Sequence, residues 1–206
     1  MIQLSQIGEL LLAEMFNGSE KVRQLFVEKG LLYTITTTDL RAIPEVQLTR
    51  CGKYRFDGAH KVDVVVIVQS KRECIAFEVK LGFDRLGKHE FEKRFLKRCG
   101  KSHGERRISG SMIAILEGKL PASCENEPIV VNCRGAIYHL LPQWVLVVRR
   151  RVLDAWGKNG RPAFSEKCVP LSFESVVSRY GGREPFNALV NKLACGDYYR
   201  EWIEDA

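Results

Sequence analysis

Asp63, Glu78 and Lys80 are the side chains whose types and spacing can do chemistry together. Lys61–Val68 and Cys74–Leu81 read as two strands joined by a short polar turn, Gln69–Glu73. A turn centred between Ser70 and Lys71 sets Val68 against Glu73, Val66 against Ile75 and Val64 against Phe77. Asp63 then faces Glu78. Opposed side chains share one side of a sheet, with Cβ atoms about 4.5–5.5 Å apart. Lys80, two residues beyond Glu78, shares that side. A slip of one residue would put Asp63 and Glu78 on opposite sides. The flanking positions are apolar on both faces. Val62, Val64, Val66, Val68, Ile75, Phe77 and Val79 form one; Val65, Ile67, Cys74 and Ala76 form the other. A strand apolar on both faces is covered on both, so the charges fall at the end of a buried sheet.

Two carboxylates in that setting repel each other and lose hydration. A divalent cation relieves both problems. Mg²⁺, or Mn²⁺ in its place, takes carboxylate oxygens, for Mg²⁺ at about 2.0–2.1 Å, and keeps several waters. One such water can become the attacking nucleophile on a phosphodiester. Lys80 is placed to orient or deprotonate it and to stabilise the charge that develops. The plainer alternative, Lys80 merely neutralising Glu78, suits most isolated Glu-x-Lys tripeptides. Three conditions together outweigh it here: the tripeptide ends an apolar strand, an Asp lies across the hairpin, and a basic helix follows.

Asp63, fourteen further residues, then Glu78-Val79-Lys80 resembles the D-x(n)-(D/E)-x-K signature of the PD-(D/E)XK nuclease superfamily. That superfamily includes restriction endonucleases, junction resolvases and repair exonucleases. The resemblance covers about residues 1–116, with Val62 standing before Asp63 where the signature's name has proline. It implies an α/β fold with a restriction-endonuclease-like core: helix, three-strand meander, helix, further strands. It implies that Asp63 and Glu78 are metal ligands and Lys80 the catalytic lysine. Glu14 would be the acid supplied by the first helix, catalytic and metal-binding. The implied activity is Mg²⁺-dependent hydrolysis of DNA, as an endonuclease. Double-strand cutting by so small a subunit implies a homodimer. Two other readings of the residues predict different behaviour. A non-catalytic nucleic-acid-binding module would bind without divalent metal, and a protein-interaction domain would use residues 151–206.

These side chains need elements to hold them. Leu4–Phe16 reads as a helix with Leu4, Ile7, Leu10, Leu11 and Met15 on one stripe. Glu14 falls inside that stripe and Glu9 on the opposite side. A carboxylate facing a core is costly unless paired, so Glu14 is the acid that wants a partner. Ser19 caps a second helix reaching Lys29, stopped by Gly30. Leu31–Thr37 and Glu45–Arg50 are strand candidates. Residues 88–99 read as a helix with Phe91, Phe95 and Leu96 inward and the bases outward. Ile108–Leu116 reads as a strand and Pro121–Pro128 as a loop. Ile129–Cys133 and Trp144–Val148 follow as strands, with a helical turn near Ile137–Leu141. Ser172 caps a helix to Tyr180, and Pro185–Ala194 and Tyr198–Glu204 form a final helical pair. The division expected is a core over 1–150 and a mainly helical extension over 151–206 packed on it.

Composition bounds the class. The chain has 206 residues, 45% hydrophobic and 28% charged, which suits a folded domain rather than a disordered chain. No run approaches the roughly 20 apolar residues of a bilayer span, so no membrane partner is expected. The first residues lack the basic start of a secretory signal. Seven scattered cysteines without a CxxC pair point to reduced thiols and the cytoplasm. Zinc binding by Cys99, His103, Cys124 and Cys133 fits no standard spacing. The net charge is +7, of which +5 falls between Lys88 and Arg107, a stretch with eight bases and three acids. That clustering suits a polyanion. Lys88, Lys93, Arg94, Lys97, Arg98 and Lys101 are the expected DNA contacts, with the Arg149–Arg151 run and the AWGKNGR loop as lesser candidates. His60 is a weaker candidate for contact with substrate and His89 and His103 for contact with phosphate, while Asp57 reads as a turn residue and Asp84 as a cap. The three tryptophans read as core or interface.

Overall fold

A computed structural model describes residues 4–29, 39–56, 60–82, 87–101, 107–124, 127–133 and 135–194 of the chain. The fold is mixed α/β. Helices α1 (Leu4–Gly18) and α2 (Glu20–Glu28) lead into strand β1 (Leu40–Cys51). Ser19 caps α2 as expected, its hydroxyl accepting from the Val22 amide at 3.4 Å. A tight turn joins β1 to β2 (Tyr54–Phe56), and then come β3 (Lys61–Val68) and β4 (Glu73–Val79). The pairing of β3 with β4 has the expected register, with Val68 on Glu73, Val66 on Ile75 and Val64 on Phe77.

Strands β1, β3 and β4 form an antiparallel meander. The chain then builds α3 (Lys88–Phe95), β5 (Gly100–Lys101), β6 (Arg107–Ser109), α4 (Met112–Leu116) and β7 (Ile129–Cys133). It returns in β8 (Ala136–Val148), which lies parallel to β4. β7 is antiparallel both to β8 and to β1, so β1, β3, β4, β8 and β7 close into a ring. After α5 (Arg150–Asn159), strand β9 (Cys168–Ser172) adds in parallel to β8. Helices α6 (Phe173–Tyr180), capped by Ser172, and α7 (Arg183–Ala194) complete the described chain.

Two hydrophobic cores lie on the sheet. One packs α1, α2, α6 and α7 onto Val64, Val66, Val68, Ile75, Phe77 and Val79. Phe16, Phe26 and Phe77 touch within it, Phe26 and Phe77 stacked at 5.0 Å. The other packs α3, α4 and α5 onto Val65, Ile67, Cys74, Ala76 and Trp144. The segment after residue 150 supplies Val152, Trp156 and Cys168 to the second core and Leu171, Val176 and Leu189 to the first.

The structure departs from the sequence expectations in identifiable places. The strand expected over 108–116 ends at Ser109, within β6; the chain turns at Gly110 (φ 154) and becomes α4, capped by the Ser111 hydroxyl. Residues 137–141 are not a helical turn but part of β8, where partners on both edges, β7 and β4, override local preference. The helix expected over 88–99 stops at Phe95, and the Cys99 amide bonds the Lys119 carbonyl at 2.8 Å instead. The AWGKNGR stretch begins inside α5, with Trp156 buried against Phe91 and Phe164. Val62 packs in the α3 core, apart from Val64. On the neighbouring strand Ala42 and Val46 divide in the same way. Both switches flank Glu45, which has φ 52. The left-handed residue breaks the alternation of β1, and β3 follows its partner. The strands expected at 31–37 and the helix at 198–204 lie outside the described residues.

Candidate active site

Three ordinary causes bring the charged residues together. The hairpin register puts Asp63 one rung beyond the Val64–Phe77 pair, beside Glu78. Helix α1 crosses the end of β4 at Gly8, where a Cβ would stand 3.0 Å from the Leu81 side chain and 3.5 Å from that of Val79. The parallel strand β8 fixes the backbone of Lys80, whose amide bonds the Val147 carbonyl at 2.8 Å.

Lys80 sits between the two carboxylates. Its Nζ lies 2.6 Å from Asp63 Oδ2 and 2.8 Å from Glu78 Oε2. Asp63 Oδ2 also accepts from the Val79 amide at 2.7 Å, so the carboxylate takes the place of a ladder carbonyl. Glu78 Oε1 lies 3.5 Å from the Asp63 amide. Glu78 is 2% exposed. Burial pushes its carboxyl up to about 7; Lys80 pulls it down and Asp63 pushes it further up. Burial works against the Lys80 ammonium, but Glu78 and Asp63 outweigh it and hold the group charged well above the ordinary lysine range.

On α1, Glu9 is buried and its carboxyl lies in the field of Asp63, Lys80 and Glu78, while Glu14 is half-buried. The buried side of α1 carries Gly8, Glu9, Leu11, Leu12, Ala13, Met15 and Phe16, so that Leu11 and Met15 of the expected stripe are buried as expected. That side is rotated by about a third of a turn from the expected stripe. Ile7, Leu10 and Glu14 share the half-buried side. Burial raises the Glu9 carboxyl to about 8; Asp63 adds to the rise, Lys80 opposes it, and Glu45 and Glu78 add again. Glu9 lies at i, i+3, i+4, i+7 spacing with Leu12, Ala13 and Phe16. That pattern was present in the sequence, but the neighbouring leucines gave a competing stripe.

The donor set suits a hard cation. Among the described residues no cluster of three or more His, Cys, Asp and Glu forms a ready metal cage. Mg²⁺ does not require one: it is commonly held by one or two carboxylates with waters and substrate phosphates completing the shell. The ammonium bridging Asp63 and Glu78 marks where positive charge is stabilised.

The basic candidates are placed as follows. Lys88, Lys93 and Arg94 are exposed on α3, and Lys97 and Arg98 are exposed just beyond it. Phe91 and Leu96 are buried beneath them, with Phe95 partly so. Lys101 lies in β5. Arg149 stands at the residue before α5, without a capping hydrogen bond from its side chain, and Arg150 and Arg151 begin the helix. His60 turns inward, its Nε2 3.0 Å from the Gly110 carbonyl and its ring on Phe56, while His89 is exposed at the start of α3. Trp144 is core, donating to Glu117 at 2.8 Å. Cys51, Cys74, Cys99, Cys124, Cys133 and Cys168 are buried free thiols. Burial pushes Cys99 and Cys133 up to about 11, which disfavours the thiolate a zinc site needs. Asp57, Asp84 and His103 lie outside the described residues. No helix among the described residues is long and apolar enough to cross a membrane. Comparison with family models, curated proteins and solved structures finds no match.

Proposed function

We propose that the protein is a metal-dependent nuclease that hydrolyses phosphodiester bonds of DNA. The observation that carries this reading is the bridging of Asp63 and Glu78 by Lys80 at the end of a buried hairpin, with the carboxyl of Glu9 in the same field. The antiparallel meander followed by a parallel fourth strand supports a restriction-endonuclease-like core for residues 1–150, with 151–206 as its extension. Asp63 and Glu78 would hold Mg²⁺ or Mn²⁺, and Glu9 takes the role expected of Glu14. The ion, when bound, acidifies a water and neutralises phosphate charge.

The chain's own residues do the rest. Asp63 and Glu78 are the residues that would hold the cation, and Lys80 lies between them, in contact with both. Its ammonium donates to the non-bridging phosphate oxygens, where charge grows in the transition state. Glu9, neutral at low pH and ionised above about 8, adds the negative charge that a dication demands. The basic surface of α3 positions the backbone without reading sequence.

The test uses supercoiled and single-stranded DNA with the wild type and with Asp63→Asn, Glu78→Gln and Lys80→Ala. The two amide variants keep shape and remove charge. Cleavage in Mg²⁺ or Mn²⁺, absent in EDTA and reduced at least about 10²-fold in each variant, is the expected result. Full activity in all three variants overturns the assignment. DNA retarded but uncut in every metal favours a binding module.

A further inference from the structure

A second basic surface lies on β1, β2 and β6, on elements other than those that carry Asp63, Glu78, Lys80 and the α3 bases. Strands β1, β2, β7 and β8 floor an open groove of about 930 Å³. Gln47, Arg50, Lys53, Arg55, Asn132 and Ile137 line it. Its charges are organised by register. Arg50 is the cross-strand partner of Arg55, and Arg55 is the partner of Arg107 on β6. Opposed residues point to the same side, and like charges so placed are destabilising. Neighbouring strands are about 4.8 Å apart, so three guanidinium-bearing positions fall within roughly 10 Å. All three residues are exposed. Ion pairs among the described residues include Lys61 with Glu45, Lys80 with Asp63 and Glu78, and Arg179 with Glu28, while Glu127 lies over Gly52 at the turn. Neither Arg50 nor Arg55 belongs to any of these pairs. A sheet that tolerates this repulsion has a use for the charge.

The groove also has an apolar element. Ile137 is 52% exposed, the one large hydrophobic so exposed among the described residues. It pairs across β7–β8 with Asn132. Arginines beside an exposed apolar side chain and two amides suit a polymer that alternates anionic and apolar parts. A nucleic-acid strand has that chemistry, with phosphates for the arginines and sugar or base edges for Ile137.

The groove is joined to the acidic cluster by one strand. On β1, Pro44 pairs with Val64 and Val46 with Val62, so Glu45 falls at the Asp63 rung. From there to Arg50 the strand covers at most about 17 Å, or roughly five nucleotide steps of 3.4 Å.

We propose that this groove holds the phosphate backbone of DNA at a distance from the cutting site, with Arg50 and Arg55 as its principal contacts. The proposal rests on the reading of the protein as a DNA-acting enzyme and extends it to a substrate path that does not use α3.

The test is binding of a labelled DNA duplex in EDTA, so that no strand is cut, over a range of salt concentrations. The proteins are the wild type, Arg50→Gln/Arg55→Gln, and Lys71→Gln as a charge control in the β3–β4 turn. All three substituted positions are exposed, and unchanged circular dichroism and melting temperature establish folding. The double variant is expected to bind more weakly, on the order of tenfold at 100 mM salt, with the slope of log K against log salt shallower by about two. Lys71→Gln is expected to match the wild type. Equal slopes and affinities for the double variant and the wild type overturn the groove while leaving the DNA reading in place. A general loss shared by Lys71→Gln also overturns it, because net charge alone then accounts for binding. No binding by the wild type, with no cleavage when Mg²⁺ is added, overturns the groove and the DNA reading together; cleavage without measurable binding overturns the groove alone.

Discussion

At the scale of single residues, the account turns on buried acids that are hard to ionise. Glu9 and Glu78 titrate higher in the folded chain, at about 8 and about 7, than at the ordinary value of 4.5. Between those limits the folded state binds more protons than the unfolded one, so stability falls as pH rises from about 4.5 through 8. Urea unfolding at pH 5, 6.5 and 8 should show that decline, and Glu9→Gln should flatten it. Identical slopes in the two proteins would remove Glu9 from the cluster. Added Mg²⁺ should raise the melting temperature at pH 8, because a ligand that binds only the folded state stabilises it. Lys80→Met leaves two carboxylates without their cation and should cost about 3–5 kcal/mol at pH 8, part of which Mg²⁺ should restore. A Lys80→Met protein as stable as the wild type would mean that the ion pairs contribute nothing. The Asp63, Glu78 and Lys80 arrangement was legible in the sequence because a two-residue period leaves few registers. Glu9 was not, because Leu10, Leu11 and Leu12 make α1 apolar around much of its circumference, and only packing selects the face.

At the scale of elements, the site depends on how closely α1 lies over β4. Gly8 permits that approach, since any side chain there meets Leu81 and Val79. Gly8→Val should destabilise by about 1–3 kcal/mol and shift Glu9 with its helix. Chemical denaturation measures the first effect, and a flattened pH dependence reports the second. A neutral Gly8→Val would show that Leu81 yields freely. The strands at 61–68 and 129–133 were legible from alternation and β-branched runs. α4 and the first half of β8 were not. Met112–Leu116 is as apolar as a strand, and only the Ser111 cap decides for helix. Ala136–Leu141 has a helix-compatible pattern, and strand partners on both edges decide for sheet. The break at Glu45 carried no proline or glycine signal of its own beyond Pro44, so the exchange of faces at Val62 was invisible.

At the scale of the whole molecule, ring closure and the shared cores tie together the elements before and after residue 150. β9 pairs with β8, whose other edge pairs with the strand that carries Glu78. Deleting everything after residue 160 should therefore expose Val145 and Val147 and abolish a cooperative melt, as read by calorimetry. A truncated chain with a sharp transition would show that the first part folds alone. Charge is likewise a property of the whole: α3 and the arginine row on β1, β2 and β6 both offer positive surface, while the acids gather at the end of β4. That separation suits a substrate held by its phosphates at several points and acted on at one. The central claim is best tested by the rate at which supercoiled plasmid is nicked at pH 8 in Mg²⁺ and in EDTA, for the wild type beside Glu78→Gln. The account predicts nicking by the wild type in Mg²⁺ alone, at least about 10²-fold faster than by the variant. Equal rates in the two proteins, or equal rates with and without the metal, would contradict it.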